Sequence, residues 1–240
     1  MFIEGLPDVE AHALIMLDGS LTMQQIEIQT DEPKHRRCAW MVQEVLNRMD
    51  DPQYEFADIT VGCFSADKTG VKVVSLLDSH NPYTLKTYTE NQDLDYWDAL
   101  SPENRQRGMG GMTPIGGALA WARHKAEQWV TAADGQVQRR AVIYVLSDGM
   151  NNHGPEGKEE KQAIAAFNDS CETGYIRLAT IGYFQSAPKT NDEEDAGRQL
   201  LHELPFNRKA YFESNNVKKI VGYILSTLTQ EVTHHGEVAA

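Results

Sequence analysis

Short apolar runs alternate with amphipathic stretches along most of this 240-residue chain. The runs at 11–17, 140–146 and 176–183 predict buried strands, because a strand covered on both faces carries apolar residues without strict alternation. Residues 58–65 and 71–77 are also strand-like, and the link between them is too short to hold a crossover helix. We therefore expect these two segments to form a hairpin in which one strand runs antiparallel.

Apolar residues recur at three- and four-residue spacing in segments 34–49, 115–130 and 217–232, which predicts helices with one buried face. Pro114 suits the first turn of the second of these helices, and a further helix is expected at about 158–171. The predicted inward-facing residues are Cys38, Met41, Val42, Val45, Leu46 and Met49 in the first helix, Leu119, Ala122, Ala126 and Trp129 in the second, and Ile220, Ile224, Leu225 and Leu228 in the last.

This order of elements, with a short edge strand at 210–212, predicts an α/β fold: a Rossmann-like open, mostly parallel sheet with one antiparallel edge hairpin strand and helices on both faces. The chain contains no internal repeat, low-complexity segment or linker. We therefore expect a single domain over residues 1–232, followed by a polar C-terminal tail over 233–240. In such sheets the functional site lies beyond the carboxyl ends of the strands, where the strand order reverses.

Acidic residues exceed basic ones by 35 to 22, which gives a formal net charge of −13. Such a surface repels a phosphate backbone and an anionic membrane, so neither nucleic acid nor membrane is an expected partner. No signal peptide is visible, and no apolar run approaches the roughly 20 residues of a membrane span, so we expect a soluble, cytoplasmic protein. Three scattered cysteines, Cys38, Cys63 and Cys171, show no metal-ligand spacing and are expected to be buried in a reducing compartment.

Candidate site residues follow the first and fourth predicted strands. Each of these strands ends in an aspartate that glycine follows at once, namely Asp18 and Asp148. Ser20 and Thr22 alternate after Asp18, so in an extended loop their hydroxyls and the Asp18 carboxylate lie on one side. Thr113 comes just before Pro114, close to the positive N-terminus of the predicted second helix.

All five candidates offer oxygen atoms, two as carboxylates and three as hydroxyls. Hard donors of this kind suit Mg²⁺, Mn²⁺ or Ca²⁺ better than zinc or copper. An ion held by two formal negative charges and neutral hydroxyls would take a further oxygen from outside, most readily a carboxylate. The pattern therefore predicts a metal site that recognises an acidic side chain.

Three segments resemble the metal-ion-dependent adhesion site (MIDAS) of von Willebrand factor A (VWA) domains: residues 18–23 (DGSLTM), 110–116 (GGMTPIG) and 146–149 (LSDG). The family pattern is Asp-x-Ser-x-Ser, a threonine in a Gly-x-Thr-Pro-like loop, and an aspartate in a (Thr/Ser)-Asp-Gly turn. The likeness covers nearly the whole chain. This sequence departs from the pattern at Thr22, where the family usually has serine, although threonine keeps the hydroxyl.

The resemblance implies that Ser20, Thr22 and Thr113 bind Mg²⁺ directly and that Asp18 and Asp148 bind it directly or through water. It further implies that a glutamate or aspartate of a partner protein completes the octahedron, and that the module has no catalysis of its own. Freestanding intracellular bacterial VWA proteins often work beside AAA+ ATPases, or in kinase and phosphatase modules of stress or tellurite-resistance type. Such proteins are therefore the partners that the resemblance implies.

Three other interpretations of these residues are open. The aspartates and hydroxyls could serve only to cap turns, or the crevice could be a metal-free protein-interaction scaffold. The chain could also be a Mg²⁺-dependent phosphohydrolase with Asp18 as nucleophile. The last is disfavoured, because Ser20 occupies the position where the haloacid-dehalogenase-like pattern has a second aspartate, and no phosphate-binding loop is present.

The remaining conspicuous side chains are expected to be structural. His12 falls within the first strand, and Trp40, Trp121 and Trp129 fall on helices, where they are expected to pack on the sheet. Exposed settings are expected for the others: His153 in the loop after Asp148, His234 and His235 in the tail, the acidic run 192–195 at a helix start, and Trp97 as a candidate contact aromatic.

Overall fold

A computed structural model gives the fold of the greater part of the chain. It describes residues 8–27, 30–49, 51–54, 56–67, 70–79, 111–132, 137–149, 175–185, 190–205 and 207–233, with single residues at 162, 164, 165, 167 and 188. Several sequence predictions lie outside these residues: most of the helix expected at 158–171, the tail from residue 234 onward, Cys171, Trp97, His153, His234 and His235.

Six strands form one sheet in the described part of the chain, in the spatial order β3-β2-β1-β4-β5-β6. All neighbouring pairs are parallel except β2 and β3, which form the antiparallel edge hairpin. The predicted α/β, Rossmann-like sheet is therefore confirmed. The strands are β1 (Asp8–Asp18), β2 (Ala57–Asp67), β3 (Gly70–Ser79), β4 (Val137–Ser147), β5 (Ile176–Gly182) and β6 (Tyr211–Glu213).

Helices cover both faces of this sheet. The described helices are α1 (Lys34–Met49), α2 (Ile115–Thr131), α3 (Asp192–Glu203) and α4 (Val217–Thr233). Residues of α1 and α4 join one buried apolar cluster, and residues of α2 and α3 join the other. The predicted inward faces of α1 and α4 are buried, and Leu119, Ala122 and Ala126 of α2 are buried too. The acidic run at 192–195 begins α3, whose first amides bond to the Asn191 side chain.

The strand order reverses beside β1, because β2 lies on one side of it and β4 on the other. The parallel register sets Leu17 of β1 opposite Leu146 of β4, so the two strands end level with each other. A crevice at such a reversal is where open α/β sheets bind their ligands. The fold thus brings the ends of β1 and β4 to one sheet edge.

The loop before α2 is attached to the same edge. Ala66, near the end of β2, and Met112 exchange two backbone hydrogen bonds of 3.0 and 3.1 Å. Gly111 has a φ of +116°, and a Cβ there would lie 3.0 Å from the Ala66 carbonyl oxygen. Glycine is therefore required at this turn, and the bridge at Met112 positions Thr113, which is the next residue.

The structure corrects one expectation about the tryptophans and confirms several about buried residues. Trp40 is 50% exposed, with the Arg37 guanidinium 5.9 Å from its ring, so the prediction that it packs on the sheet was wrong. The reason is its place on α1, outside the apolar stripe. Trp121 and Trp129 do pack on the core, His12 is buried and bonded to Thr60 at 2.9 Å, and Cys38 and Cys63 are buried free thiols. No described helix is long and apolar enough to cross a membrane.

Two helix glycines offer a test of the packing of α2 on the hairpin. A Cβ on Gly117 would lie 2.5, 2.8 and 3.1 Å from Cγ1, Cγ2 and Cβ of Val71, so rotation of the Val71 side chain cannot relieve the clash. We expect Gly117→Ala to lower the free energy of unfolding by roughly 1–3 kcal/mol. A Cβ on the exposed Gly222 of α4 would meet no atom within 4 Å. We therefore expect Gly222→Ala to raise the free energy of unfolding by roughly 0.5–1 kcal/mol. Urea titration measures both, and equal stabilisation by the two variants would contradict this packing.

Candidate metal centre

Asp18 is fully buried at the carboxyl end of β1, and both of its carboxylate oxygens are held by neighbours. Oδ1 accepts a hydrogen bond from the Ser20 amide at 2.8 Å, and Oδ2 accepts one from the Ser147 hydroxyl at 2.5 Å. Burial, and then the negative charge of Asp148, raise the pKa of Asp18 to about 7. Ser147 was not among the predicted site residues, although it ends the strand beside β1.

Ser20 and Thr22 converge by a route that differs from the predicted extended loop. Ser20 is extended, but the chain then curls into a single 3₁₀ turn over Leu21–Gln24, and the Met23 amide donates to the Ser20 carbonyl at 3.1 Å. The turn brings the hydroxyl oxygens of Ser20 and Thr22 to 2.9 Å from each other. The two hydroxyls therefore meet as predicted, while the expected geometry of the loop was wrong.

Asp148 links this loop to the end of β4. Its Oδ1 accepts a hydrogen bond from the Thr22 hydroxyl at 2.7 Å. A Cβ on Gly149 would lie 3.7 Å from the Thr113 hydroxyl oxygen, so the buried Thr113 lies beside the turn that follows Asp148. All five predicted residues thus lie at one sheet edge. Their role as metal ligands stays a prediction.

The hydroxyls and the carboxylate at this edge are joined by hydrogen bonds of ordinary length: 2.9 Å between the Ser20 and Thr22 hydroxyls, and 2.7 Å between the Thr22 hydroxyl and Asp148. No cluster of three or more His, Cys, Asp or Glu side chains suited to a metal occurs among the described residues. Any ion at this edge would therefore depend on hydroxyl ligands as well as on the two aspartates, and this donor set fits Mg²⁺ or Mn²⁺.

Lys34 is a charged member of the site that sequence reasoning missed. Its ammonium donates to Asp148 Oδ2, the oxygen that Thr22 leaves free, and both side chains are buried. Lys34 is the first residue of α1, and its amide donates to the Gln25 carbonyl at 3.1 Å. A signal was available, because position 34 is four residues before Cys38 and so lies on the apolar face of the helix.

A second polar cluster holds the segment between α1 and the loop of residues 19–26 that follows β1, here called the site loop. Glu27 is buried and accepts hydrogen bonds from the Tyr183 hydroxyl and from the Thr30 hydroxyl. The Arg37 guanidinium lies 3.9 Å from Glu27 Oε2. The His35 ring contacts the Met23 carbonyl at 2.9 Å. These contacts fix the start of α1, and with it Lys34, against the ends of β1 and β5.

No protein-family model and no curated protein matches this sequence. Several solved structures share its fold. Proximal thread matrix protein 1 (PTMP1) from the mussel byssus, solved with a zinc-occupied MIDAS motif, is 16% identical, covers 94% of this chain and gives a TM-score of 0.55. The pilus adhesin SpaC from Lactobacillus rhamnosus GG is 12% identical over 96% of the chain, with a TM-score of 0.61.

The N-terminal domain of TFIIH p34 is 16% identical, covers 91% of this chain and gives a TM-score of 0.54. This chain spans 98% of that domain, but only 48% of the PTMP1 structure and 32% of the SpaC structure. At such low identities the likeness shows the fold alone. It supports a VWA-like α/β fold, as the resemblance of the sequence implies.

The charge of Asp18 should lower the stability of the metal-free protein above neutral pH. Because burial raises the pKa of Asp18 from 3.8 to about 7, the folded chain holds this proton more tightly than the unfolded chain does. That contribution to stability is full below about pH 4 and is lost as the pH rises through about 7. We compare the free energy of unfolding of Asp18→Asn with that of wild type in buffer with a chelator. We expect the difference, variant minus wild type, to rise by up to about 4 kcal/mol from pH 4 to pH 8.

Urea titrations at several pH values would measure this difference. Asp51→Asn, at an exposed position, is the control, and it should change the free energy of unfolding by less than about 0.5 kcal/mol at every pH. A difference between Asp18→Asn and wild type that does not change with pH would show that the Asp18 carboxylate carries no electrostatic cost.

Proposed function

We propose that this protein is a VWA-type module that binds a partner protein through a divalent cation, most simply Mg²⁺, with Mn²⁺ or Ca²⁺ as substitutes. Ser20, Thr22 and Thr113 would hold the ion by their hydroxyls, and Asp18 and Asp148 would hold it directly or through water. When bound, the ion supplies a strong positive charge with an open coordination position. A glutamate or aspartate of the partner would fill that position.

The observation that carries this proposal is the meeting of hydroxyl and carboxylate oxygens from separate segments. Ser20, Thr22 and Asp148 form a chain of hydrogen bonds of 2.9 and 2.7 Å, the second across a sequence separation of 126 residues. Turn capping alone would satisfy each group within its own loop, whereas here the polar atoms of two loops face each other. The zinc-occupied MIDAS of PTMP1, a protein of the same fold, supports a metal as the common occupant.

The exposure of the site loop supports a macromolecular partner. The Thr22 side chain is exposed although its hydroxyl bonds to Asp148. Leu21 and Ile26, which flank it on the same loop, are large apolar residues that are 52% and 59% exposed. An acidic side chain flanked by apolar residues would therefore match both the proposed ion and its surroundings.

We further propose that the module does not catalyse a reaction. A phosphohydrolase would need Asp18 as its nucleophile, with an oxygen free to attack phosphorus. Here the Asp18 carboxylate is fully buried, and each of its oxygens accepts a hydrogen bond. The finer parts of the resemblance are proposals too: a bacterial cytoplasmic protein that works with an AAA+ ATPase or with a kinase and phosphatase module of the stress or tellurite-resistance type.

Thr22 offers the sharpest test of metal binding, because its side chain is exposed and can be changed with little effect on the core. Thr22→Val keeps the shape but removes the hydroxyl, and we expect it to bind Mn²⁺ at least tenfold more weakly than wild type. Thr22→Ser retains the hydroxyl and should bind Mn²⁺ within about threefold of wild type. Electron paramagnetic resonance of free Mn²⁺ gives both affinities. Equal affinity of Thr22→Val and wild type would exclude Thr22 as a ligand.

Partner binding should depend on the same hydroxyl. The immobilised protein is incubated in Mg²⁺ with an extract of the organism that makes it. Proteins that wild type retains should be released by EDTA, should not bind Thr22→Val, and should still bind Thr22→Ser. Replacing the recognised glutamate of the partner by glutamine, or its aspartate by asparagine, should then abolish the interaction. Retention unchanged by EDTA and by Thr22→Val would instead favour a metal-free scaffold. Mg²⁺-dependent phosphatase turnover that Asp18→Asn abolishes would favour an enzyme.

A further inference from the structure

The buried ammonium of Lys34 occupies an electrostatically unusual position. Lys34 begins α1, where the helix dipole places partial positive charge, and the first turn KHRR contains no acidic residue. A cation is disfavoured at such a helix end, and its burial adds a desolvation cost. The contact with Asp148 Oδ2 offsets these costs. The lysine is therefore held inside the candidate site by one of the two aspartates.

The two oxygens of Asp148 face different groups. Oδ1 accepts from Thr22, which belongs to the proposed ligand set, and Oδ2 accepts from Lys34. A metal ion bound among Ser20, Thr22 and Asp148 would approach Oδ1, so Lys34 could keep its contact with Oδ2. Two cations would then share one carboxylate, and their mutual repulsion would oppose metal binding.

Formal charges give the direction of each effect. Asp18, Asp148 and Lys34 sum to −1, and a divalent ion changes this sum to +1. If residue 34 were neutral, the same two states would carry −2 and 0. Lys34 therefore makes the metal-free site less attractive to a cation and the metal-loaded site more attractive to an anion. The nearby Glu27 does not alter this comparison, because it is present in both cases and faces Arg37 and Tyr183.

We propose that Lys34 is a built-in cation that couples metal binding to carboxylate binding. It weakens the affinity of the free protein for the metal, and it strengthens the affinity of the metal-loaded site for the acidic side chain of a partner. The ion would consequently be held firmly only when the partner's carboxylate is present. This inference rests on the proposed metal-dependent function and adds to it a means by which the partner regulates occupancy of the metal site.

The test compares wild type, Lys34→Met and Lys34→Gln at pH 8, with two separate readouts. Isothermal titration with Mn²⁺ gives the affinity for the metal alone. The second readout is the relaxation rate of water protons, which protein-bound Mn²⁺ increases. The fall of this rate during titration with acetate reports the displacement of metal-bound water by a carboxylate. Lys125→Met, which removes a cation paired with the Trp121 ring in α2, is the matched control for the loss of one positive charge.

We expect both neutral variants to bind Mn²⁺ at least tenfold more tightly than wild type and to respond to acetate at least threefold more weakly. Lys125→Met should resemble wild type in both readouts. Opposite changes in the two affinities cannot come from damage to the site, which would weaken both. Lys34→Gln retains hydrogen-bonding groups toward Asp148, so it keeps the comparison valid if Lys34→Met fails to fold.

Unchanged or weaker Mn²⁺ binding by both neutral variants would overturn the role of Lys34, while the proposed function would stand if Thr22→Val still lost the metal. Tight binding by the neutral variants with no measurable binding by wild type would support the inference in its strongest form, with Lys34 excluding the metal, and would count against the proposed function. Absence of Mn²⁺ binding in every variant would overturn both.

Discussion

Two buried aspartate carboxylates meet at one edge of the sheet, and the polar structure around them follows from the need to compensate their charge. Burial, and then the negative charge of Asp148, raise the pKa of Asp18 to about 7. Ser147 and the Ser20 amide donate to Asp18, while Thr22 and Lys34 donate to Asp148. The site is thus a network in which every carboxylate oxygen accepts a hydrogen bond.

The sheet topology creates this constraint. β1 lies between β2 and β4, so the chain leaves its carboxyl end toward one side and returns on the other. The parallel register aligns Leu17 with Leu146, and the residues that follow must therefore share the same edge. The bridge between Ala66 and Met112 adds the loop of Thr113 to this edge. Hydrogen bonds from Ser147 to Asp18 and from Thr22 to Asp148 then connect the residues at the strand ends.

A cation is the natural complement of such a site, and the protein already supplies one. The Lys34 ammonium balances Asp148 through Oδ2, while the hydroxyl of Thr22 contacts Oδ1; under the proposed function a divalent ion would add to the charge of Lys34. Buried ion pairs are costly to form and are strongly destabilising when broken. Lys34 therefore links the stability of the start of α1 to the charge of Asp148.

Local patterns in the sequence determined much of this protein. Apolar periodicity gave the strands of the core, the hairpin, and the bounds of α1, because burial of one helix face or of a whole strand leaves a repeat that neighbouring residues share. Asp18, which ends β1, and Asp148, which directly follows β4, were visible because each precedes a glycine at the end of a buried strand and so places a carboxylate at the sheet edge. Thr22 was found from its alternation after Asp18 and Thr113 from its position before Pro114, and the VWA resemblance implied their role as ligands.

Contacts between distant segments were decided only by the tertiary structure. Lys34 and Asp148 are separated by 114 residues, and a lysine on the apolar face of a helix does not reveal which carboxylate will meet it. The 3₁₀ turn after Ser20 and the support of Asp18 by Ser147 likewise depend on how the strand ends are juxtaposed. Trp40 shows the converse case, because an aromatic residue on a helix packs inward only if its own position faces the core. The spacing of apolar residues shows which face of a helix or strand is buried. Which charged residues pair is determined only when segments distant in the sequence pack against each other.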